Sequence, residues 1–448
     1  MFVAPSIISP MANGIADRKI VVTRDVKFMN ETAFRHEYKE ILDKEKDTDE
    51  EHMRIDFHEP IEKNEPSTKS TGKKVRLVAK GCSQRPGEDF HETSSPIVRS
   101  SSIRVIAALS AEFVEIHQMD VVTAYLNGTL EEEVFMEIPD QLSDVLKRVL
   151  AKRKICSQKA IITEENLLQT AKRWNKGLDE SVDSVCLLKK SLYGLRQSGL
   201  QWYKRLSKLL IDISFEALLQ DPCVFVALKG ERMMLIGIYV DDIILATNDN
   251  AWMESIKGQL ASVFEMKDMG NISNCLGIEF SRDNEYRVYL KQKLYVDKIL
   301  ERFGMSECKP AVTPIDVNVK LEKPECISHD IMNQYPYQSL IGALMLLAVC
   351  TRPDITYAVN YLSQFNTNYN IEHWKAAKRV LRYLKGTSDY GLVYERTGLP
   401  LFGVVDADWG GNTVDRRSYS GFAFILAGAP ISWEARKQRT VALSSTEA

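Results

Sequence analysis

Two short apolar runs, MLIGIYV at 234–240 and IILA at 243–246, flank Asp241 and Asp242. Each run is rich in β-branched and aliphatic residues and has the length of a buried strand. Together they predict a hairpin carrying the two carboxylates at its tip. Upstream, KKVRLVAKGCSQ sets Lys74, Arg76 and Lys80 against Val75, Leu77 and Ala79, which predicts a strand with cations on one face. Ser101 or Ser102 is expected to cap a helix running through Ile103, Ile106, Ala107 and Leu109. EIHQMDVVTAYLNGTLEEEVFMEIP then predicts strand, turn and strand, with Asn127-Gly128 as the turn and Asp120 at the end of the first strand. VCLL predicts another strand, Tyr193-Gly194 a turn, and 198–213 an amphipathic helix. A short strand at 223–227 is expected to pair into the central hairpin.

After the hairpin the period alternates again. WMESIKGQLASVFEMKD predicts a helix, and CLGIEFSRDNEYRVYLKQKLYVDKILERFGM a second hairpin leading into a helix. Residues 307–333 are Pro-rich and predict a linker, and 337–350, 354–364 and 373–385 predict three helices. The last helix carries Lys375, Lys378, Arg379, Arg382 and Lys385, which suit a phosphate-facing stripe or a solvated face equally. From Leu401 the pattern is that of strands: LFGVVDADWG, SYSGFAFILAG, APISWEA and RTVALS. Residues 1–70 hold too little apolar surface to offset chain entropy and are expected to be mostly linker, with one strand at 18–31 and a short helix at 38–44. Residues 140–184 are expected to be an irregular, partly basic insertion.

Composition narrows the function classes. The 58 Lys and Arg against 61 Asp and Glu leave a net charge of -3, so any nucleic-acid surface is a local patch. The eight cysteines form no CxxC pair, which argues against zinc and fits a reducing compartment. The start has no positive n-region, prolines interrupt its apolar residues, and the longest apolar run, 343–350, is too short to cross a bilayer. An intracellular protein, cytoplasmic or nuclear, with no membrane partner is expected.

Two adjacent carboxylates in apolar surroundings need a counter-charge. A divalent metal pair bound to phosphate oxygens supplies one; the alternative is that Asp is simply a good turn former. Asp120 taken alone is likewise a turn or cap residue. The motifs around them occur in a telling order: VRLVAKG with GEDF; HQMDVVTAYLNG; SLYGLRQ with QW; DPC; YVDDI; LGIEF; LERFGM; LIGALM with TRPDI; KRVLRYLKGT; and VDADWGGN through TVALSSTEA. This series closely resembles the reverse transcriptase and the start of the RNase H domain of copia-type LTR retrotransposons, from Lys73 to Ala448 apart from 140–184. RKIVVTRDVKFMNE resembles the chain following the copia-type integrase core.

The resemblance implies an α+β fold: a right-hand polymerase of palm, fingers and partial thumb at 71–320, a helical connection at 321–395, and a truncated RNase H-like α/β domain at 396–448. It implies an RNA-directed DNA polymerase using two Mg²⁺ (or Mn²⁺) ions, an RNA template, a DNA primer and deoxynucleoside triphosphates, with other Pol and Gag products as partners. Hard cations favour carboxylate oxygens. By resemblance Asp120 and Asp241 are direct ligands and Asp242 the third carboxylate. Tyr125 takes the aromatic position that excludes a 2′-hydroxyl. Lys74 or Arg76 meets the triphosphate, and Tyr193 and Gln197 line the nucleotide and template side. Leu276, Gly277 and Ile278 match the primer grip, and Asp406 and Glu447 the first two RNase H acids. Asp408 is not the ligand, because the strand-end position belongs to Asp406. Ser444 and Glu447 also have the spacing of a helix capping box.

Departures from the family pattern set further expectations. The Trp-rich fingers segment that precedes RLVAKG in the family is missing. Ser198-Gly199-Leu200 stands where the family has Ala-Pro-Arg, which is expected to loosen the loop before the helix. Ending at Ala448, the RNase H module lacks its remaining acids and is expected to be inactive. The competing readings are an idle nucleic-acid-binding remnant of a transposon and a palm-type domain with other two-metal chemistry, such as a cyclase or nuclease.

Overall fold

The computed structural model describes residues 8–11, 77–113, 115–139, 142–151, 169, 171–176, 185–316, 321–324, 334–412 and 415–448. The strand expected at 18–31, the helix expected at 38–44, and the cations Lys74 and Arg76 lie outside these residues.

In chain order the elements are β1 (Ile8–Met11), α1 (Ser100–Phe113), β2 (Glu115–Val121), β3 (Val134–Glu137), α2 (Leu142–Ala151), β4 (Val185–Leu188) and α3 (Ser198–Asp212). Next come β5 (Glu216–Ala217), β6 (Val224–Lys229), β7 (Arg232–Tyr239), β8 (Asp242–Thr247), α4 (Asn250–Val263) and β9 (Met266–Asn271). They are followed by β10 (Asn274–Cys275), β11 (Ile278–Arg282), β12 (Val288–Lys291), α5 (Lys293–Arg302), α6 (Tyr337–Cys350), α7 (Thr356–Ser363) and α8 (Ile371–Gly386). The last four are β13 (Gly391–Tyr394), β14 (Phe402–Ala407), β15 (Tyr419–Leu426) and β16 (Ala429–Lys437). Among the described residues, helices and antiparallel sheets are mixed without βαβ crossovers, as an α+β fold requires.

The central sheet has six strands in the order β5-β6-β7-β8-β2-β9, all antiparallel. Ile236, Ile243 and Leu245 are fully buried in it, and Ile106 and Ala107 of α1, Leu206 and Leu210 of α3 and Leu260 of α4 join the same core. Each large aliphatic side chain buried this way contributes roughly 1.5–3 kcal/mol. The helix α4 stops at Val263, and Met266 onward becomes β9, although FEMKD continues the helical spacing. Asp249 caps this helix by accepting from the Trp252 N–H at 3.0 Å.

Several local expectations give way. β2 and β3 do not form a hairpin: a 3-10 turn over Ala124–Asn127 separates them, and β3 joins β4 and β1 in a sheet of its own. Asn127-Gly128 therefore ends a turn, because β2 already has β8 and β9 on its two edges. Among the described residues of the expected cationic strand, Val78 forms a bridge with Tyr193. β1 occupies a stretch expected to be linker. The insertion at 140–184 contributes α2, whose Leu146 is fully buried, and Trp174, 3% exposed. Both pack against β3 and β4 in one apolar cluster. Helix α1 begins at Ser100, and the Ser102 hydroxyl donates to Asp221 Oδ2 at 2.6 Å instead of capping.

Beyond β12 the helices α5 to α8 enclose a second core around Tyr337, Leu344, Leu362 and Leu381. The basic residues of α8 are largely spent locally. Arg379 donates to Thr313 Oγ1 at 3.0 Å and Arg382 to the Lys309 carbonyl at 2.7 Å, holding the segment 309–316 against the helix. Lys375 pairs with Glu372 at 2.8 Å. The chain then returns to the β10-β11-β12 sheet as β13, a strand the sequence pattern did not signal. The last sheet, β14-β15-β16, has every residue of β14 exposed. RTVALS forms no strand, and Ser444 starts no helix: the Leu443 N–H donates to Glu447 Oε2 at 2.8 Å within a turn.

Candidate active site

The three central carboxylates gather at one end of the six-stranded sheet. β7 and β8 close a hairpin in which Tyr239 faces Asp242, leaving Val240 and Asp241 as the two turn residues. Asp242 is thus the first strand residue and not part of the tip. Asp120, on β2, is the direct partner of Asp242 on one side and of Lys267, on β9, on the other. Directly opposed residues share a face of a sheet. Tyr239, Asp242, Asp120 and Lys267 therefore form one row across four strands. Gln118 lies on the same face, and its Nε2 donates to Asp242 Oδ1 at 2.8 Å, fixing that carboxylate.

The turn is held in an unfavourable conformation. Val240 has φ +52°, where a β-branched residue is strained by about 1–2 kcal/mol. Two hydrogen bonds keep it there. The Trp202 indole of α3 donates to the Val240 carbonyl at 2.8 Å, and the Val121 N–H donates to the Asp241 carbonyl at 2.8 Å. Trp202 is itself buried, edge-on to Phe264 at 5.0 Å.

The field of the carboxylates reaches the groups around them. Burial and the charge of Asp242 push the Tyr239 phenol up to about 12. Burial and Asp241 raise Tyr125, and burial and Asp242 raise the Cys275 thiol. Tyr125 sits on the 3-10 turn after β2, its ring 4.9 Å from that of Tyr193. Asp241, Tyr125 and Tyr193 are thus neighbours.

Other expected site residues fare differently. Gln197 is 1% exposed, and its amide is engaged at both ends by Gln84 and the Asp89 carbonyl, so it faces protein and not a ligand. The loop before α3 is not loose: the Ser198 hydroxyl donates to the Leu192 carbonyl at 2.6 Å. Leu276 and Gly277 form a two-residue turn with φ +54° and +74°, the geometry of a tight type I′ hairpin, between the paired residues Cys275 and Ile278. Ile278 is core, 2% exposed, so of the expected grip only Leu276-Gly277 forms the tip. Asp406 lies on β14, and its Oδ1 accepts from the Ala407 N–H at 3.0 Å. Asp408 accepts from the Gly411 and Tyr419 N–H groups at 3.1 and 3.0 Å, a loop-closing role.

Lys267, Gln118 and Trp202 were not singled out from sequence. Lys267 was hidden because FEMKD reads as helix, and only the pairing of β9 with β2 brings it to Asp120. Among the described residues, no three His, Cys, Asp or Glu side chains already converge as a metal cage. The donor set still suits a hard cation. Mg²⁺ keeps several waters and needs only one or two protein carboxylates beside substrate phosphates, and Asp120 and Asp242 face each other with Asp241 in the adjoining turn.

The family model "Reverse transcriptase (RNA-dependent DNA polymerase)" matches residues 58–179 and 159–317. The chain is 37% identical over 382 residues to the "Retrovirus-related Pol polyprotein from transposon TNT 1-94" of Nicotiana tabacum, covering 84% of this chain and 26% of that protein. It is 35% identical over 377 residues to the corresponding polyprotein from transposon RE2 of Arabidopsis thaliana, covering 84% of this chain and 23% of that protein. The chain thus spans about a quarter of the length of these curated relatives. Among solved structures it is similar to a foamy viral protease-reverse transcriptase in complex with double-stranded DNA, at 10% identity and a TM-score of 0.40, covering 83% of this chain and 50% of that one.

Proposed function

The chain belongs to the reverse transcriptase family of copia-type elements, and on that footing we propose that it is an RNA-directed DNA polymerase acting at Asp120, Asp241 and Asp242. The observation that carries the proposal is the cross-strand pairing of Asp120 with Asp242 beside the strained turn of Asp241. Asp120 and Asp241 would hold two Mg²⁺ ions, with Asp242 oriented by Gln118 as the third carboxylate. When bound, such ions lower the pKa of the primer 3′-hydroxyl and neutralise charge on the triphosphate.

The residues of the chain supply the rest. Lys267 sets a cation next to Asp120, on the face where phosphate charge would accumulate. Tyr125, backed by Tyr193, presents an aromatic wall beside Asp241, suited to packing against a deoxyribose and excluding a 2′-hydroxyl. The tight Leu276-Gly277 hairpin is the candidate holder of the primer end. RNA template, DNA primer and deoxynucleoside triphosphates are the proposed partners. β14 to β16, with Asp406, are proposed to be RNase H-related. The alternative is an idle nucleic-acid-binding remnant; on α8, Arg379 and Arg382 are engaged by the segment 309–316, and primer extension separates the two readings.

The test is extension of a DNA primer on an RNA template with Mg²⁺ or Mn²⁺. The chain is expected to extend the primer, and Asp241→Asn to reduce extension at least a hundredfold without loss of fold. Equal extension by the two proteins would overturn the proposal.

A further inference from the structure

Two buried glutamine side chains join the loop at 79–90 to the loop that carries Tyr193. Gln84 is 4% exposed and Gln197 1%. Their amides form a directional relay. The Arg196 N–H donates to Gln84 Oε1 at 2.8 Å, Gln84 Nε2 donates to Gln197 Oε1 at 3.0 Å, and Gln197 Nε2 donates to the Asp89 carbonyl at 3.0 Å. Each position uses an acceptor and a donor on one planar group, which an amide provides without titrating. The backbones beneath are in direct contact. The Ala79 N–H donates to the Tyr193 carbonyl at 2.7 Å, and a Cβ on Gly81 would lie 2.0 Å from the Gly194 carbonyl oxygen.

This relay stands at the start of a mechanical line to the carboxylates. Gln197 immediately precedes α3, and its carbonyl accepts from the Gln201 N–H at 3.0 Å. The next residue, Trp202, donates to the Val240 carbonyl in the turn that carries Asp241. On the other side of Gln197, Tyr193 backs the Tyr125 ring. The aromatic wall and the carboxylate turn therefore both hang from the segment that Gln84 grips.

We propose that Gln84 and Gln197 are positioning residues that set the spacing between the Tyr125–Tyr193 wall and the Asp241 turn, and so govern discrimination between deoxyribo- and ribonucleotides. The proposal rests on the polymerase reading above. Neither residue touches the nucleotide; each acts through the rings and the turn.

The test compares Gln84→Ala, Gln197→Ala and the double variant in primer extension with deoxyribonucleoside and ribonucleoside triphosphates. Each single variant is expected to lower the ratio of kcat/KM for deoxy over ribo substrate about tenfold, with the double variant no lower than the singles. Asn370→Ala, a remote helix-cap variant, is expected to leave the ratio unchanged, separating positioning from general loss of stability. Hydrogen exchange supplies a readout that needs no turnover: in Gln197→Ala, faster exchange is expected to spread from 79–90 to the N–H of Val121 at the carboxylate turn. An unchanged ratio in extending variants, or exchange confined to 79–90, overturns the proposal. If the unmodified chain extends no primer, the polymerase reading falls, and exchange alone decides whether the relay controls the turn.

Discussion

The Arg104 guanidinium lies 4.0 Å from the centre of the Trp433 ring, and both side chains finish on the same helix end. Arg104 donates to the Val349 and Cys350 carbonyls at 2.6 and 3.1 Å, and to the Ile431 carbonyl at 2.7 Å. Trp433 donates to the Ala348 carbonyl at 2.8 Å. One buried side chain of α1 thus ties the C-terminal end of α6 and the strand β16 to the central sheet. Loss of three acceptors' partners and of the cation–ring contact should cost about 2–4 kcal/mol in Arg104→Met. Lys lacks the planar fork, so Arg104→Lys should recover less than half of that. Urea unfolding followed by tryptophan fluorescence measures both. Unchanged midpoints would mean that the joint contributes nothing to stability.

Acid sensitivity should be traceable to His373. Its ring is buried, and Nδ1 accepts from the Asn370 N–H at 3.2 Å in the cap of α8. Burial lowers its pKa to about 4. The folded state therefore binds fewer protons than the unfolded chain, whose histidine titrates near ~6.5. The resulting stability is complete above pH 6.5 and is lost as the pH falls toward 4, the loss reaching about 2 kcal/mol at pH 5. His373→Gln, which keeps an acceptor at this capping position, should flatten the difference between urea midpoints at pH 7.5 and 5.

At the carboxylates, Gln118→Ala should release Asp242 without removing any proposed metal ligand. The Mg²⁺ concentration for half-maximal primer extension is expected to rise several-fold, while extension at saturating Mg²⁺ falls less than that of Asp241→Asn. Identical Mg²⁺ titrations of the variant and parent proteins would show that the 2.8 Å contact to Asp242 does not organise the site.

Strain at Val240 makes an unusual stability prediction. Replacing valine by glycine in a strand removes packing and adds unfolded-state freedom. At Val224, 4% exposed on β6, the cost should be about 3 kcal/mol. At Val240 the positive φ is relieved by glycine, so Val240→Gly should cost less than about 1 kcal/mol. Equal losses at the two positions would show that the turn is not strained.

The hairpin of β7 and β8 was legible because two uninterrupted apolar runs around a polar pair leave little choice of structure. The helices α3 and α8 were legible through their 3.6-residue spacing. What stayed hidden depends on partners remote in sequence. Asn127-Gly128 has the composition of a hairpin turn, but β2 is taken on both edges by β8 and β9. FEMKD keeps helical spacing, but pairing with β2 draws it into a strand and carries Lys267 to Asp120. Gln197 has the look of a ligand-facing residue next to a Tyr-Gly turn; only the approach of Gln84 from more than a hundred residues away buries it. The carboxylates themselves were expected from the order of the motifs that contain them, although Asp120 and Asp242 meet only through the pairing of β2 with β8. The relay that holds the wall beside them was not.

The order β7-β8-β2-β9 also has a consequence for biosynthesis. β2 belongs between two strands made about 120 and about 150 residues after it. At roughly 5–20 residues per second, a nascent chain leaves Ile116, Met119 and Val121 without either neighbour for on the order of ten seconds. During that interval the strand bearing Asp120 is an open apolar segment, and its fate rests with whatever shelters it at the ribosome. Yield in cells should therefore respond more to translation speed between β2 and β8, and to chaperone supply, than to modest changes in the stability of the finished fold.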